Sequence, residues 1–335
     1  MNMNSREIVF KAIEFDGPER VPLYFPAIGK SDILDLPLVF SDPETGWLPF
    51  TDTPRAGRDE WGCYWTTMEK TMGQVTVHPL DDWKKIETYE FPDPHLERRF
   101  SSAKDMLKIT KNEKYLMGSL PFVLFERLHF LRGFENLLTD LYLDRDKVLS
   151  LADKILQFQM EDVKQWAELG VDGIAFTDDW GSQKALFVPP RIFREVFKPR
   201  YKKLFDLTHK LGMHAYLHSD GKIQQIIPDF IDLRLDILNI PQPSSLFGID
   251  YLRENFGGKI CFCCVVDNQT TLVYGTEEKI RKESKDLVDK LGSFNGGLIA
   301  GLVDPCDVKA LQVPQRNILV MCEAFKEFGR YSMTW

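Results

Sequence analysis

Met213-His214-Ala215-Tyr216-Leu217-His218-Ser219-Asp220-Gly221 decides how the chain is read. A mostly apolar run stops abruptly at a histidine, an acid and a glycine. That is the pattern of a buried strand emerging into a loop. Runs of the same kind lie on either side. Gly173-Ile174-Ala175-Phe176-Thr177 ends in Asp178-Asp179-Trp180-Gly181. Ile260-Cys261-Phe262-Cys263-Cys264-Val265-Val266 ends at Asp267, and Gly297-Leu298-Ile299-Ala300-Gly301 is followed by Cys306. In parallel α/β folds such strand ends converge on the active site.

Outward from these runs, strand and helix patterns alternate. Residues 20–25 read as a first strand and 114–119 as a second. Residues 121–169 are helical, with breaks at Gly133 and near Asp144, and 190–211 form a helix stopped by Gly212. The order then continues with helix 223–233, strand 236–240, helix 246–256, strand 259–266, helix 277–291, strand 298–301 and helix 314–328. Residues 5–14 give a short helix with Ser5 as its N-cap, and 101–110 another. Repeated alternation implies parallel strands joined by right-handed crossovers. Seven strand runs over this length favour a closed (β/α)8 TIM barrel, an α/β fold, as a single domain over 1–335. An irregular excursion at about 41–95, rich in Pro, Gly, Asp and aromatics, interrupts it.

Composition narrows the function. A formal charge of −8 argues against nucleic acid as a partner. No apolar run approaches the roughly 18 residues of a membrane span, and the first residues lack the layout of a signal peptide, so a cytoplasmic protein is expected. The six cysteines are too few and too clustered for a disulfide framework, leaving buried small hydrophobes or metal ligands.

His218 and Asp220, at i and i+2 of a strand end, can turn toward one mouth. Cys264 lies near the end of another strand and Cys306 follows the last. Imidazole, carboxylate and thiolate are ordinary ligands of Zn2+, and a catalytic zinc takes three of them plus an open position. Cys261, Cys263 and Cys322 read as core. Asp236 opens its strand at the opposite face, where a structural role is favoured, yet it remains a candidate ligand. Asp178 and Asp179 can orient a substrate hydroxyl, act as general base or hold a ligated imidazole; equally, one can cap a turn. Trp180 can wall a flat substrate. Glu126, Arg127, His129 and Arg132 share helical spacing and form either a solvated face or part of the mouth.

Several short segments, in order, carry a family resemblance: Arg20-Val21-Pro22, Asp59-Glu60-Trp61-Gly62, Phe125-Glu126 with Leu131-Arg132-Gly133, Asp178-Asp179-Trp180-Gly181-Ser182-Gln183, Leu217-His218-Ser219-Asp220-Gly221 and Val266-Asp267 with Gly275-Thr276. Together they resemble the uroporphyrinogen decarboxylase superfamily, which implies a distorted (β/α)8 barrel. True porphyrinogen decarboxylases carry arginines just after the first strand, to grip substrate carboxylates. Here that position reads Tyr24-Phe25-Pro26-Ala27-Ile28-Gly29-Lys30.

The resemblance therefore points to the cobalamin-dependent methyltransferase branch, the methyltransferase I of ether O-demethylase systems. Thiol-methylating members of that branch hold zinc with His-x-Cys and a later Cys. This chain keeps His218, places Asp220 where the first Cys would stand and offers Cys306 as the late one. Cys264 stands where relatives usually have glycine. The implied site is zinc on His218, Cys264 and Cys306, with or without Asp220, and catalytic roles for Asp178, Asp179 and His218. Phe25, Trp180, Glu126 and His129 would bind substrate. The implied reaction moves a methyl group from a small-molecule methyl ether, such as a methoxylated aromatic, to cob(I)alamin. No cobalamin-binding motif is evident in the chain, so the corrinoid would arrive on a separate corrinoid protein. The alternatives are a metal-free decarboxylase of a small organic acid, methyl transfer to a thiol or folate acceptor, and a non-catalytic binder. Oligomeric state stays open, a homodimer included.

Overall fold

The computed structural model describes residues 3–41, 44, 46, 47, 55–67, 71–110 and 113–331. Eight parallel strands line a barrel: β1 Leu23–Phe25, β2 Ile33–Leu36, β3 Tyr115–Leu120, β4 Gly173–Thr177, β5 His214–His218, β6 Ile237–Asn239, β7 Cys261–Cys264 and β8 Leu298–Gly301. Hydrogen-bonded neighbours run β1-β8-β7-β6-β5-β4-β3-β2, so strands consecutive in the chain lie side by side nearly all the way round. The two-residue strand Lys30–Ser31 folds back antiparallel on β1.

The barrel closes at a seam between β1 and β2, and Asp32 bridges it. Its backbone N–H donates to the carbonyl of Leu23 at 2.7 Å. Its carboxylate accepts the Leu23 N–H at 2.8 Å, two bonds from the Arg20 guanidinium at 2.7 Å each, and the Ser5 hydroxyl at 2.5 Å. One buried acid thus ties the first helix, the first strand and the second together.

Side chains alternate between two layers, as the pleat of a strand dictates. Tyr24, Tyr115, Met117, Tyr216, Ile237, Cys261, Cys263 and Ile299 fill the interior, and Val9 and Ile13 of helix α1 (Ser5–Ile13) close it from the N-terminal end. Leu23, Phe25, Ile174, Leu217, Phe262 and Cys264 point the other way, into the layer beneath the surrounding helices. With α1 plugging one end, only the C-terminal ends of the strands are left as a mouth.

Most element expectations match. Gly133 and Asp144 do divide the long helical stretch, into α2 (Phe125–Arg132), α3 (Phe134–Leu143) and α4 (Arg145–Glu168). Three details differ. The N-cap of α1 is Asn4, not Ser5: Asn4 and Glu7 form a reciprocal capping box. Residues 223–233 are helical only over Ile227–Asp232. The eighth strand, Ile33–Leu36, was not among the seven expected, since four residues containing an acid give little apolar signal. Within the excursion, Gly57–Arg58, Tyr64–Thr66 and Gln74–Val77 form a small antiparallel sheet; residues 42, 43, 45, 48–54 and 68–70 of it lie outside the described residues. Among the described residues no helix is long and apolar enough to cross a membrane.

Removing the seam acid should cost stability. Asp32→Ala leaves Arg20 and the Leu23 N–H without their partner, and urea unfolding should show a loss of about 3 kcal/mol. Burial raises the Asp32 pKa, but the bonds from Arg20 and Leu23 outweigh it and the carboxyl titrates below its ordinary value. Its contribution is therefore complete above the unfolded value of about 3.9 and fades as pH falls through the lower native value. Equal stability of wild type and variant at neutral pH would contradict this account of the seam.

Candidate functional site

The site grows out of strand periodicity. His214, Tyr216 and His218 share the inward face of β5, and His218 is the last of them, at the mouth. Asp220 follows two residues later, and Asp179 arrives from the loop after β4. His218 Nε2 lies 3.8 Å from an oxygen of Asp179 and 3.8 Å from one of Asp220. One ligand atom from each of the three lies within 4.8 Å of the other two.

Backbone contacts fix that spacing. The Asp220 N–H donates to Asp179 at 2.8 Å, and the Lys222 N–H to the Ser182 carbonyl at 2.9 Å, so the loops after β4 and β5 cross in register. At the crossing Gly221 sits at φ +85°, and a Cβ there would lie 2.0 Å from the Gly181 carbonyl oxygen. Glycine is required at this point by space and by backbone angle together.

The electrostatics favour a cation. Burial raises the Asp179 pKa, and the neighbouring Asp220 adds to the rise. Burial opposes charge on His218, yet Asp220 and Asp179 outweigh it and its pKa is raised. Asp307, in the helix Pro305–Ala310, is pushed up to about 6 by burial and then by Asp304, and its field reaches His218, Asp220 and Asp179. Glu126 is driven well above its usual range by burial, then by Asp179 and Asp178. Close carboxylates resist sharing charge unless a proton or a metal neutralises them. Two carboxylate oxygens and one imidazole nitrogen, converging and half open to solvent, suit a divalent ion such as zinc with a coordination position to spare.

The remaining expected residues fall elsewhere. Asp178 is fully buried and caps α2, accepting the N–H groups of Leu124, Phe125 and Glu126 at 3.1, 2.9 and 2.7 Å and the Tyr201 hydroxyl. With its lone pairs so occupied it orients a helix instead of serving as a base. Trp180 is buried among Phe125, Phe193, Phe197 and Tyr201, its indole N–H donating to Tyr201 at 3.1 Å, so its ring is core and no wall of the mouth. Phe25 turns outward against Phe325 of the last helix. His129 packs against Phe125, Phe130 and Phe134, and burial pushes its pKa down to about 3.

Both candidate thiols stand outside the group. Cys264 occupies the outer face of β7, fully buried beneath the helices, while Cys263 beside it faces inward. Cys306 is half-buried in the helix Pro305–Ala310, its N–H bonded to Asp304 at 2.6 Å and its thiol pushed up to about 12 by burial and Asp304. Asp236 lies at the far end of the barrel, bonded to His209 at 2.8 Å and the Ala215 N–H at 2.7 Å. Asn239 and Asp307 join the site without standing among the expected residues. Asn239 had a readable signal, as a lone amide ending the short apolar strand β6; Asp307 had none beyond its place beside Cys306.

No curated protein matches the chain. Among solved structures, a methyltransferase from Methanosarcina mazei is similar over 97% of this chain and 99% of its own, with TM-score 0.71 and 18% identity, which speaks for the fold alone. A xylose isomerase-like TIM barrel protein from Mycobacterium smegmatis covers 70% of this chain and 82% of its own at 11% identity, but its TM-score of 0.36 carries no argument. The uroporphyrinogen decarboxylase (URO-D) pattern matches residues 59–328, a span that holds Asp179, His218 and Asp220, and the chain belongs to that family.

Proposed function

We propose that the protein is a zinc-dependent methyltransferase that takes a methyl group from a methyl ether, a methoxylated aromatic in particular, and passes it to the cob(I)alamin of a separate corrinoid protein. The observation that supports it most is the convergence of Asp179, His218 and Asp220 at the mouth of a URO-D family barrel. Two further points fit. The fold likeness to a methyltransferase covers nearly the whole of both chains. The stretch after β1 lacks the arginines that a porphyrinogen would require.

Asp179, His218 and Asp220 would hold the zinc, in place of the thiolates first expected. Bound there, zinc supplies Lewis acidity to an ether oxygen, whose departure as alkoxide or phenolate is otherwise unfavourable at neutral pH. The protein's own groups do the rest. The Asp220 N–H holds Asp179 in place at 2.8 Å. Burial, then Asp179 and Asp178, raise the Glu126 pKa well above its usual range, which favours its neutral acid. The α1 plug shuts the other end, so a corrinoid protein must dock over the strand ends.

Purified protein should contain about one zinc, and with a methoxylated aromatic it should convert cob(I)alamin to methylcobalamin. His218→Ala and Asp220→Ala should each lower that rate by at least about 100-fold. Absence of zinc together with CO2 release from a small acid would establish the decarboxylase instead. Because His218 must shed its proton to ligate and its pKa is raised, zinc affinity should climb as pH rises through that value; a flat profile across that range speaks against His218 as a ligand. Gly221→Ala should cost about 1–3 kcal/mol of stability and, by parting the two loops, depress zinc affinity as well. Retained affinity would mean that the loop crossing does not set the site.

A further inference from the structure

On three adjacent strands the last inward residues stand in register: His218 of β5 beside Asn239 of β6, and Asn239 beside Cys263 of β7. Asn239 is 2% exposed, and its amide joins the other two. Its Nδ2 donates to the Cys263 backbone carbonyl at 2.7 Å, and its Oδ1 lies 2.6 Å from His218 Nδ1. A carbonyl can only accept. Turning the amide over would set its oxygen against the carbonyl oxygen at 2.7 Å, repulsively and with no donor between them. The backbone of β7 therefore fixes which end of the amide meets the imidazole, and that end is an acceptor. The neutral imidazole must then carry its proton on Nδ1, which leaves the Nε2 lone pair directed toward Asp179 and Asp220.

We infer that Asn239 is a positioning residue that locks His218 in its Nδ1–H form and presents Nε2 to a metal shared with Asp179 and Asp220. The metal half of this statement rests on the reading of His218 as a ligand; the tautomer half rests on the hydrogen bonds alone. A ring held this way loses no rotational freedom on ligation, and its basicity is raised by the bond at Nδ1. Replacing the amide by an isosteric hydrocarbon removes the lock without emptying the space.

Two measurements on the full-length apoprotein test it. The first is 15N NMR of histidine-labelled wild type at alkaline pH, with the signal of His218 among the six histidines assigned by His218→Gln. The neutral ring should be the Nδ1–H tautomer; an Nε2–H ring would overturn the inference. The second is zinc affinity by competition with a chromophoric chelator. Asn239→Leu should bind zinc about 10- to 100-fold more weakly than wild type and show a mixture of tautomers. A folded variant with affinity within about threefold of wild type and an unmixed Nδ1–H ring overturns it too. Should that variant not fold, the wild-type spectrum decides alone. Wild type with an Nδ1–H ring but no zinc affinity would uphold the lock while removing the metal reading above.

Discussion

A residue on a barrel strand serves either the interior or the layer beneath the helices, and the pleat allows no compromise. Nearly every placement in this protein follows from that parity. It sets Tyr216 and His218 inside with Cys263, and Leu217 and Cys264 outside. It turns Phe25 toward Phe325 and away from the mouth. It also aligns His218, Asn239 and Cys263 at one level across three strands, where a single amide can join an imidazole to a backbone carbonyl. A one-residue slip of β7 would bring Cys264 inward and remove the carbonyl that orients Asn239.

The excursion has its own anchor, and it is ionic. Asp59 accepts the Trp61 and Cys63 N–H groups at 3.0 Å each, the Trp65 indole at 3.1 Å and Arg127 at 2.7 Å. Arg99, buried beside it, is shared between Glu60 and Asp162. Charges this far from water are tolerable only when each is matched. Glu126 is the next residue of α2 to Arg127, so the same helix carries the pin of the excursion and the buried acid beside Asp179. The helix is held at its N-terminus by Asp178. Irregular chain and barrel mouth are thus fastened to one short element.

What could be read from the sequence was whatever depends on local pattern. The ends of β4 and β8, the breaks at Gly133 and Asp144 and the position of His218 at a strand end all follow from apolar periodicity and glycine. What could not be read depends on neighbours distant in the chain. Cys264 and Cys263 look alike in sequence, and only pairing with β6 and β8 decides which of them faces inward. Asp178 and Asp179 are likewise adjacent and identical in type. One meets the N-terminus of α2 and is used up as a cap; the other meets His218. Strand β2 has no apolar alternation to mark it, because its one inward acid, Asp35, is balanced by a tyrosine from another strand, Tyr24, whose hydroxyl donates to it.

The donor set itself has chemical meaning. Two carboxylates and an imidazole are harder ligands than the thiolates of a His-x-Cys site, and they transfer less electron density to a metal. An ion held by Asp179, His218 and Asp220 would keep more of its acidity toward a further ligand. That suits polarising an oxygen whose bond to carbon must break, and it suits less well the activation of a thiol, where a softer, more electron-rich site keeps the sulfur nucleophilic. The surrounding acids set a counterweight: Asp307 and Glu126 stand close, and each is held in its neutral form more readily than an ordinary carboxyl. Were both ionised, the field at His218 would favour the imidazolium and compete with ligation. Burial, by raising the pKa of both carboxyls, weakens that competition, while Asp220 and Asp179 still raise the His218 pKa, so ligation there displaces a proton.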